Sequence, residues 1–243
     1  MDYTHILHAC EEGKYLINMV SLERIVELGY SLGLSKNSRV LDLGCGYGTM
    51  LKIWSEAFGI NGIGVDREGG FIEIGKRRMT NDRIQLIAGD MFEYTDEEKF
   101  DVVVCTEFSL STEGHDVPFQ TLNDGIHFLE RFVSPGGKLI FGRLFLKTAN
   151  PPKELIDFDG MLPTLGEIYN DVKNCGYYIT AMATDTAAEW ERYIIWSARR
   201  DIERLRQNPQ RDELSAWIDK WYHIYFDYRR SYEGWGLFGI EKL

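Results

Sequence analysis

The chain has 243 residues, of which 44% are hydrophobic and 27% charged, a composition typical of a globular protein with a substantial core. Its formal net charge of −11 argues against DNA or a long RNA as a partner, because nucleic-acid binders usually carry a basic surface. No apolar run approaches the ~18–20 residues of a membrane span, and the N-terminus does not resemble a signal peptide. The sequence therefore predicts a cytoplasmic protein without a membrane partner.

The cysteine and histidine residues indicate neither a metal site nor a disulfide framework. The four cysteines are far apart and form no Cys-x-x-Cys pair, as expected of reduced thiols. His5, His8 and Cys10 are close in sequence, but no second pair of ligands follows them. Because structural metal sites usually need four such ligands, no metal is predicted.

Short apolar runs alternate with helical patterns along the first 145 residues. An amphipathic helix over residues 16–34 comes first. The runs that predict buried strands cover residues 39–43, 61–66, 83–88, 100–105 and 138–145. Helices are predicted between them over residues 47–58, 70–79 and 123–133. This alternation predicts βαβ units and a parallel sheet covered by helices on both faces.

The remaining residues complete the sheet and add a helical insertion. The predicted elements are a helix over 165–175, a strand over 177–182, two helices over 186–206 and 212–232, and an edge strand over 234–240. The fold class is therefore α/β: a Rossmann-like, seven-stranded, mostly parallel sheet with an antiparallel last strand and a helical insertion between strands six and seven. We expect one domain, with an N-terminal helical cap, a core in two pieces and the insertion, over residues 1–34, 35–183 with 233–243, and 184–232 respectively.

A glycine-rich turn joins the first strand to the helix that follows it. The spacing is Asp42-x-Gly44-x-Gly46-x-Gly48, with Thr49 next. Glycines at such a turn let a ligand approach the backbone closely, and the helix N-terminus attracts an anionic group. An acidic residue two positions before the first glycine suits a ligand that carries an ammonium group. This spacing disfavours NAD, whose fingerprint is Gly-x-Gly-x-x-Gly.

The segment from Asp42 to Gly48 closely resembles motif I of the class I S-adenosylmethionine-dependent methyltransferases. Four further marks follow in the order expected for that family. Asp66 ends the second strand, and Asp90 with Met91 follows the third. Residues 100–104 and 134–139 resemble the fourth motif and the turn before the fifth strand. The resemblance covers residues 39–145, somewhat less than half of the chain.

The resemblance implies a role for each motif residue in binding S-adenosylmethionine, with S-adenosylhomocysteine as the product. Asp42 and the Gly44 backbone would hold the ammonium end, and Asp66 would accept hydrogen bonds from the ribose hydroxyls. The other residues implied in cofactor binding are Gly46, Gly48, Thr49, Arg67, Asp90, Met91 and Thr106. Among these, Asp90 and Met91 would contact the adenine, and Arg67 would lay its alkyl stem along the ring.

The methyl acceptor is expected beyond the ends of strands four and five. Thr106 and Glu107 are the residues closest to the expected methyl position, and His115 is the best candidate for a general base because its charge changes near neutral pH. Methyl transfer is an in-line displacement that mainly requires alignment and exclusion of water. No universal catalytic residue is therefore predicted.

The insertion is rich in aromatic residues and suggests what kind of acceptor is bound. Trp190 and Tyr193 form a Trp-x-x-Tyr pattern that resembles a subgroup of small-molecule methyltransferases. Two helices at this place would roof the acceptor pocket, which favours a small molecule with an oxygen, nitrogen or sulfur nucleophile. The alternatives are a protein methyltransferase and a non-catalytic cofactor-binding partner in a complex, and a homodimer also stays open.

Overall fold

The structure is a computed structural model that describes residues 14–106, 119–207 and 212–242. Seven strands form one sheet in the order β3-β2-β1-β4-β5-β7-β6. Their bounds are β1 (Arg39–Leu43), β2 (Asn61–Asp66), β3 (Ile84–Ala88), β4 (Phe100–Cys105), β5 (Val133–Leu146), β6 (Tyr177–Thr184) and β7 (Glu233–Lys242). Strands β1 to β5 are parallel, and β7 runs antiparallel to both of its neighbours. The predicted fold class is confirmed.

Helices cover both faces of the sheet. They are α1 (Leu22–Ser31), α2 (Thr49–Phe58), α3 (Gly69–Arg78), α4 (Leu122–Glu130), α5 (Lys153–Asp159), α6 (Leu165–Asn174), α7 (Ala187–Gln207), α8 (Asp212–Ile224), a π-helical turn (Tyr225–Arg229) and α9 (Arg230–Tyr232). On one face Ile25 of α1 and Trp54 of α2 pack against Val40 of β1. On the other, Ile126 of α4 and Ile168 of α6 pack in a second core. Burial of these apolar faces supplies the main stabilising free energy of the layered fold.

The first helix is shorter than predicted. It begins only at Leu22, because the Ser21 hydroxyl accepts a hydrogen bond from the Arg24 amide and so caps the helix there. Residues 14–21 are described but are not helical. The N-terminal part of the predicted helix, from residue 16 to residue 21, is therefore irregular.

The last strand is not at the edge of the sheet, where the sequence pattern put it. β7 lies between β5 and β6, and β6 forms the edge. The physical reason is burial: Leu237, Phe238 and Ile240 have no exposed surface, and a strand covered on both faces belongs in the interior of a sheet.

Two further boundaries differ from the prediction. β5 begins at Val133, so the Gly-rich turn is included in the strand, where its register with β4 shifts. The second helix of the insertion is broken at Ile224, and the π-helical turn follows it. Among the described helices, none is long and apolar enough to cross a membrane.

Candidate active site

Acidic residues lie at the carboxyl ends of three adjacent strands. Asp42 is the penultimate residue of β1, Asp66 is the last residue of β2, and Asp90 is the second residue after β3. These strands are parallel and adjacent, so their ends meet at one edge of the sheet. Open α/β sheets bind their ligands at this edge.

The glycine turn between β1 and α2 depends on backbone conformations that favour glycine. Gly44, Gly46 and Gly48 have φ values of +78°, +55° and +67°, in the region that other residues rarely adopt. A methyl group on Gly48 would lie 2.6 Å from Leu86 Cδ2. The turn can therefore pack this closely only with glycine at that position.

Asp42 is a buried carboxyl with an orphaned oxygen. Its side chain is 2% exposed, and Oδ1 has no hydrogen-bond partner among the described residues. Desolvation, with repulsion from Asp66 as a smaller cause, raises the pKa of Asp42 to about 8. An unpaired buried carboxyl is costly by itself. A cation bound beside it would remove that cost.

Asp66 is held in place by the backbone. Oδ2 accepts a hydrogen bond from the Gly46 amide at 2.7 Å, and Oδ1 accepts one from the Glu68 amide at 2.8 Å. Burial raises the pKa of Asp66, and these two hydrogen bonds act in the opposite direction. Each oxygen keeps a further lone pair for a ligand hydroxyl. The carboxylate is thus preorganised as a two-oxygen acceptor.

A cavity of about 370 Å³ connects these residues, a size that fits small-molecule sites. Nine of the ten predicted cofactor-binding residues line it: Asp42, Gly44, Gly46, Thr49, Asp66, Arg67, Asp90, Met91 and Thr106. Gly48 does not line the cavity and instead packs against Leu86. The two candidate catalytic residues, Glu107 and His115, lie outside the described residues.

The cavity wall also contains residues that the sequence analysis did not assign to cofactor binding. Part of the wall comes from the irregular segment before α1, namely residues 16–19. Tyr193 of α7 and Trp235 of β7 line the cavity as well. The Trp-x-x-Tyr pattern pointed to Tyr193, but no local signal could have placed residues 16–19 there, since they were predicted to be helical.

The segment over residues 14–21 is fixed to several elements around the cavity. The Thr49 hydroxyl donates to the Tyr15 carbonyl at 2.8 Å, and an Arg78 Nη1 donates to the Lys14 carbonyl at 2.8 Å. From α7, Arg192 Nη2 lies 3.4, 3.4 and 3.2 Å from the carbonyl oxygens of residues 18, 19 and 20. The insertion and the N-terminal segment therefore form one side of the site together.

Comparisons with known proteins agree with this geometry. A family model described as a methyltransferase domain matches residues 40–137. Two solved structures of S-adenosylmethionine-dependent methyltransferases in complex with S-adenosyl-L-homocysteine are similar over the whole chain. The one from Thiobacillus denitrificans is 27% identical with a TM-score of 0.88 and covers 100% of both chains. The one from Geobacter sulfurreducens is 26% identical with a TM-score of 0.87 and covers 100% of this chain and 99% of the other.

A curated relative shares the full length of the chain. The uncharacterized protein YjhP of Escherichia coli is 27% identical over 99% of both sequences. Its X-ray structure has a TM-score of 0.87 against this chain. Together with the glycine turn and the strand-end acids, these findings show that the chain contains a methyltransferase domain over residues 40–137 and has the fold of the class I S-adenosylmethionine-dependent methyltransferases.

Proposed function

We propose that the cavity binds S-adenosylmethionine and that the enzyme methylates an oxygen, nitrogen or sulfur atom of a small molecule. The observation that carries the proposal is the orphaned, buried carboxyl of Asp42 in the cavity wall. The methionine end of the cofactor carries an ammonium group, which supplies the missing cation. The Gly44 amide already donates to the Val65 carbonyl at 2.8 Å, so Gly44 offers its own carbonyl oxygen to the same group.

The other strand-end residues fit the rest of the cofactor. Asp66 would accept hydrogen bonds from the ribose hydroxyls with its remaining lone pairs. Asp90 Oδ1 accepts the Phe92 amide at 2.8 Å, which leaves Oδ2 for the adenine amino group. Met91 and the alkyl part of Arg67 would flank the ring. Each contact uses a group that is on the cavity wall.

The order of the strands sets the direction in which the cofactor lies. If adenine is at β3, ribose at β2 and the methionine end at β1, the acceptor is at β4 and beyond. Thr106, Trp235 and Tyr193 line the cavity on that side. S-adenosylmethionine supplies an activated methyl group there, and the task of the chain is to align the nucleophile and exclude water.

A small methyl acceptor is supported by the way the N-terminal segment and α7 enclose the cavity. Residues 16–19 and Tyr193 form part of the cavity wall, and the hydrogen bonds of Arg192 join the N-terminal segment to α7, the helix that carries Tyr193. We include Glu107 and His115 in the proposal as candidate bases for an acceptor that arrives protonated. We also propose a cytoplasmic location, which agrees with the absence of a disulfide at Cys45, Cys105 and Cys175, the cysteines among the described residues.

Calorimetry and isotope labelling test the proposal in two steps. S-adenosylmethionine and S-adenosylhomocysteine should both bind, while NAD should not. The enzyme is then incubated with S-adenosylmethionine carrying a deuterated methyl group and a pooled metabolite extract below 1 kDa, and products are identified by mass spectrometry. Labelled small molecules support the proposal. Binding without any labelled small molecule contradicts it and favours a protein acceptor or a non-catalytic role.

A further inference from the structure

Asn18 is the one amide side chain among the described lining residues of the cavity. It is 5% exposed and belongs to the irregular segment before α1. Its Oδ1 accepts two hydrogen bonds, from Trp235 Nε1 at 3.2 Å and from the Val20 amide at 3.1 Å. Both partners can only donate. The amide orientation is therefore fixed, because the flipped arrangement would bring three N–H donors together.

This orientation leaves the Nδ2 group of Asn18 without a partner. No described residue accepts a hydrogen bond from it, and it retains accessible surface. Because the rest of this side chain is enclosed by protein, the two N–H donors can find an acceptor only in the cavity. Asn18 lines the cavity, so a bound ligand is the group that can satisfy them.

The position of Trp235 shows which end of the cavity Asn18 serves. A methyl group on Gly142 would lie 2.7 Å from Trp235 Cζ2 and 2.9 Å from the Thr106 carbonyl oxygen. The indole therefore packs over Gly142 next to Thr106, at the end of β4. Its backbone is fixed by two hydrogen bonds with Asp185, at 2.8 and 2.9 Å. This is the end that the strand order leaves for the acceptor.

The backbone of Asn18 is held by a second element, the helix α7. Arg192 of α7 lies within hydrogen-bonding distance of the Asn18 carbonyl, at 3.4 Å, and of the next two carbonyls. The side chain is thus oriented by β7 and its backbone by the insertion. Such support from neighbouring groups is what a site needs to recognise one chemical group.

We propose that Asn18 determines acceptor specificity by donating its Nδ2 hydrogen bonds to a carbonyl or carboxylate oxygen of the methyl acceptor. The donors match an oxygen lone pair and disfavour an ammonium group at this point. This inference rests on the proposed function, because it concerns the acceptor of the same reaction.

The variant Asn18→Asp removes the Nδ2 hydrogen-bond donors of Asn18 and leaves the acceptor oxygen in place. A carboxylate still accepts the hydrogen bonds from Trp235 and Val20, but it cannot donate and repels a substrate oxygen. At pH 8.5, where the introduced carboxyl is ionised, we expect kcat/KM for the acceptor to fall at least tenfold. The affinity for S-adenosylhomocysteine should stay within threefold of the wild type. Asn123→Asp, the same change on the exposed surface of α4, is the matched control.

A second variant tests the role of Trp235 as a positioning residue. Trp235→Phe keeps an aromatic ring but removes Nε1, so the Val20 amide alone holds the orientation of the Asn18 amide. We expect the KM of the acceptor to rise with a smaller change in kcat, because ground-state contact is loosened while the cofactor stays in place. Thermal unfolding checks that each variant is folded.

The acceptor is found with the deuterated cofactor and the metabolite extract below 1 kDa. A labelled product with a carbonyl or carboxylate oxygen, together with the loss in Asn18→Asp, supports the inference. Labelled products that lack such an oxygen, or full activity of Asn18→Asp, overturn it and leave the proposed function intact. If the wild type binds S-adenosylhomocysteine but labels nothing, the proposed function fails and this inference fails with it.

Discussion

We expect the wild-type protein to release a proton from Asp42 when the cofactor binds, and we expect Asp42→Asn to abolish this release. In the ligand-free protein the pKa of Asp42 is about 8, so its carboxyl is protonated at pH 6.5. A bound ammonium group favours the carboxylate, and the proton is expelled. The affinity for S-adenosylhomocysteine should therefore rise more than tenfold between pH 6 and pH 7.5, because the ionised fraction of the Asp42 carboxyl rises over this range while the α-amino group of the ligand stays mostly charged.

Calorimetry in two buffers with different ionisation enthalpies measures this release. Near pH 6.5 the wild type should release close to one proton per ligand bound, and Asp42→Asn should release almost none and bind more weakly. Asp219→Asn, an exposed change in α8, is the control and should match the wild type. Affinity that is independent of pH between 6 and 7.5, with no proton released, would refute the assignment of Asp42 to the ammonium group.

The same pKa has a consequence for stability. Because the folded-state pKa of Asp42 is above the unfolded value, the folded protein binds more protons between about pH 4 and pH 8. The contribution of Asp42 to stability is therefore greatest below pH 4 and is lost as pH rises towards 8. In the ligand-free state at pH 8, Asp42→Asn should raise the free energy of unfolding, on the order of 2 kcal/mol, because it removes a buried charge and leaves only a neutral amide unpaired. Denaturant unfolding at pH 5 and pH 8 measures the difference, which should shrink at pH 5.

Three further changes test the site. Asp66→Asn should weaken S-adenosylhomocysteine binding by roughly 30- to 150-fold in calorimetry, since about 2–3 kcal/mol of ribose hydrogen bonding is lost; an unchanged affinity would remove Asp66 from the site. Gly48→Ala should lower the free energy of unfolding by about 1–3 kcal/mol in urea, because φ is +67° and the methyl group meets Leu86; full stability would mean that the turn relaxes freely. Arg192→Ala should speed the dissociation of S-adenosylhomocysteine several-fold in stopped flow, because the segment over residues 14–21 loses the hydrogen bonds that Arg192 donates to it. Arg199→Ala on the exposed face of the same helix should leave that rate unchanged, and equal rates in both variants would exclude the segment as a barrier to release.

The sequence by itself determined the parallel part of the sheet and the binding edge. Asp42, Asp66 and Asp90 follow successive apolar strands, and parallel strands bring such residues to one edge whatever the loops do. The glycine spacing is local in the same way, because a positive φ is a property of single residues. For these reasons nine of the ten residues that the sequence analysis predicted for cofactor binding line the same cavity.

Only the tertiary structure decided which side chains lie at the proposed acceptor end. Asn18 and Trp235 are 217 residues apart in sequence, and their hydrogen bond exists because β7 enters the sheet between β5 and β6. Amphipathic periodicity predicted a helix through residue 18, but the Ser21 cap and the contacts with Arg192 stabilise a different conformation. The raised pKa of Asp42 is likewise a property of burial, which depends on packing across the whole cavity. Local pattern thus specifies where a strand ends, whereas long-range packing determines which side chains meet there.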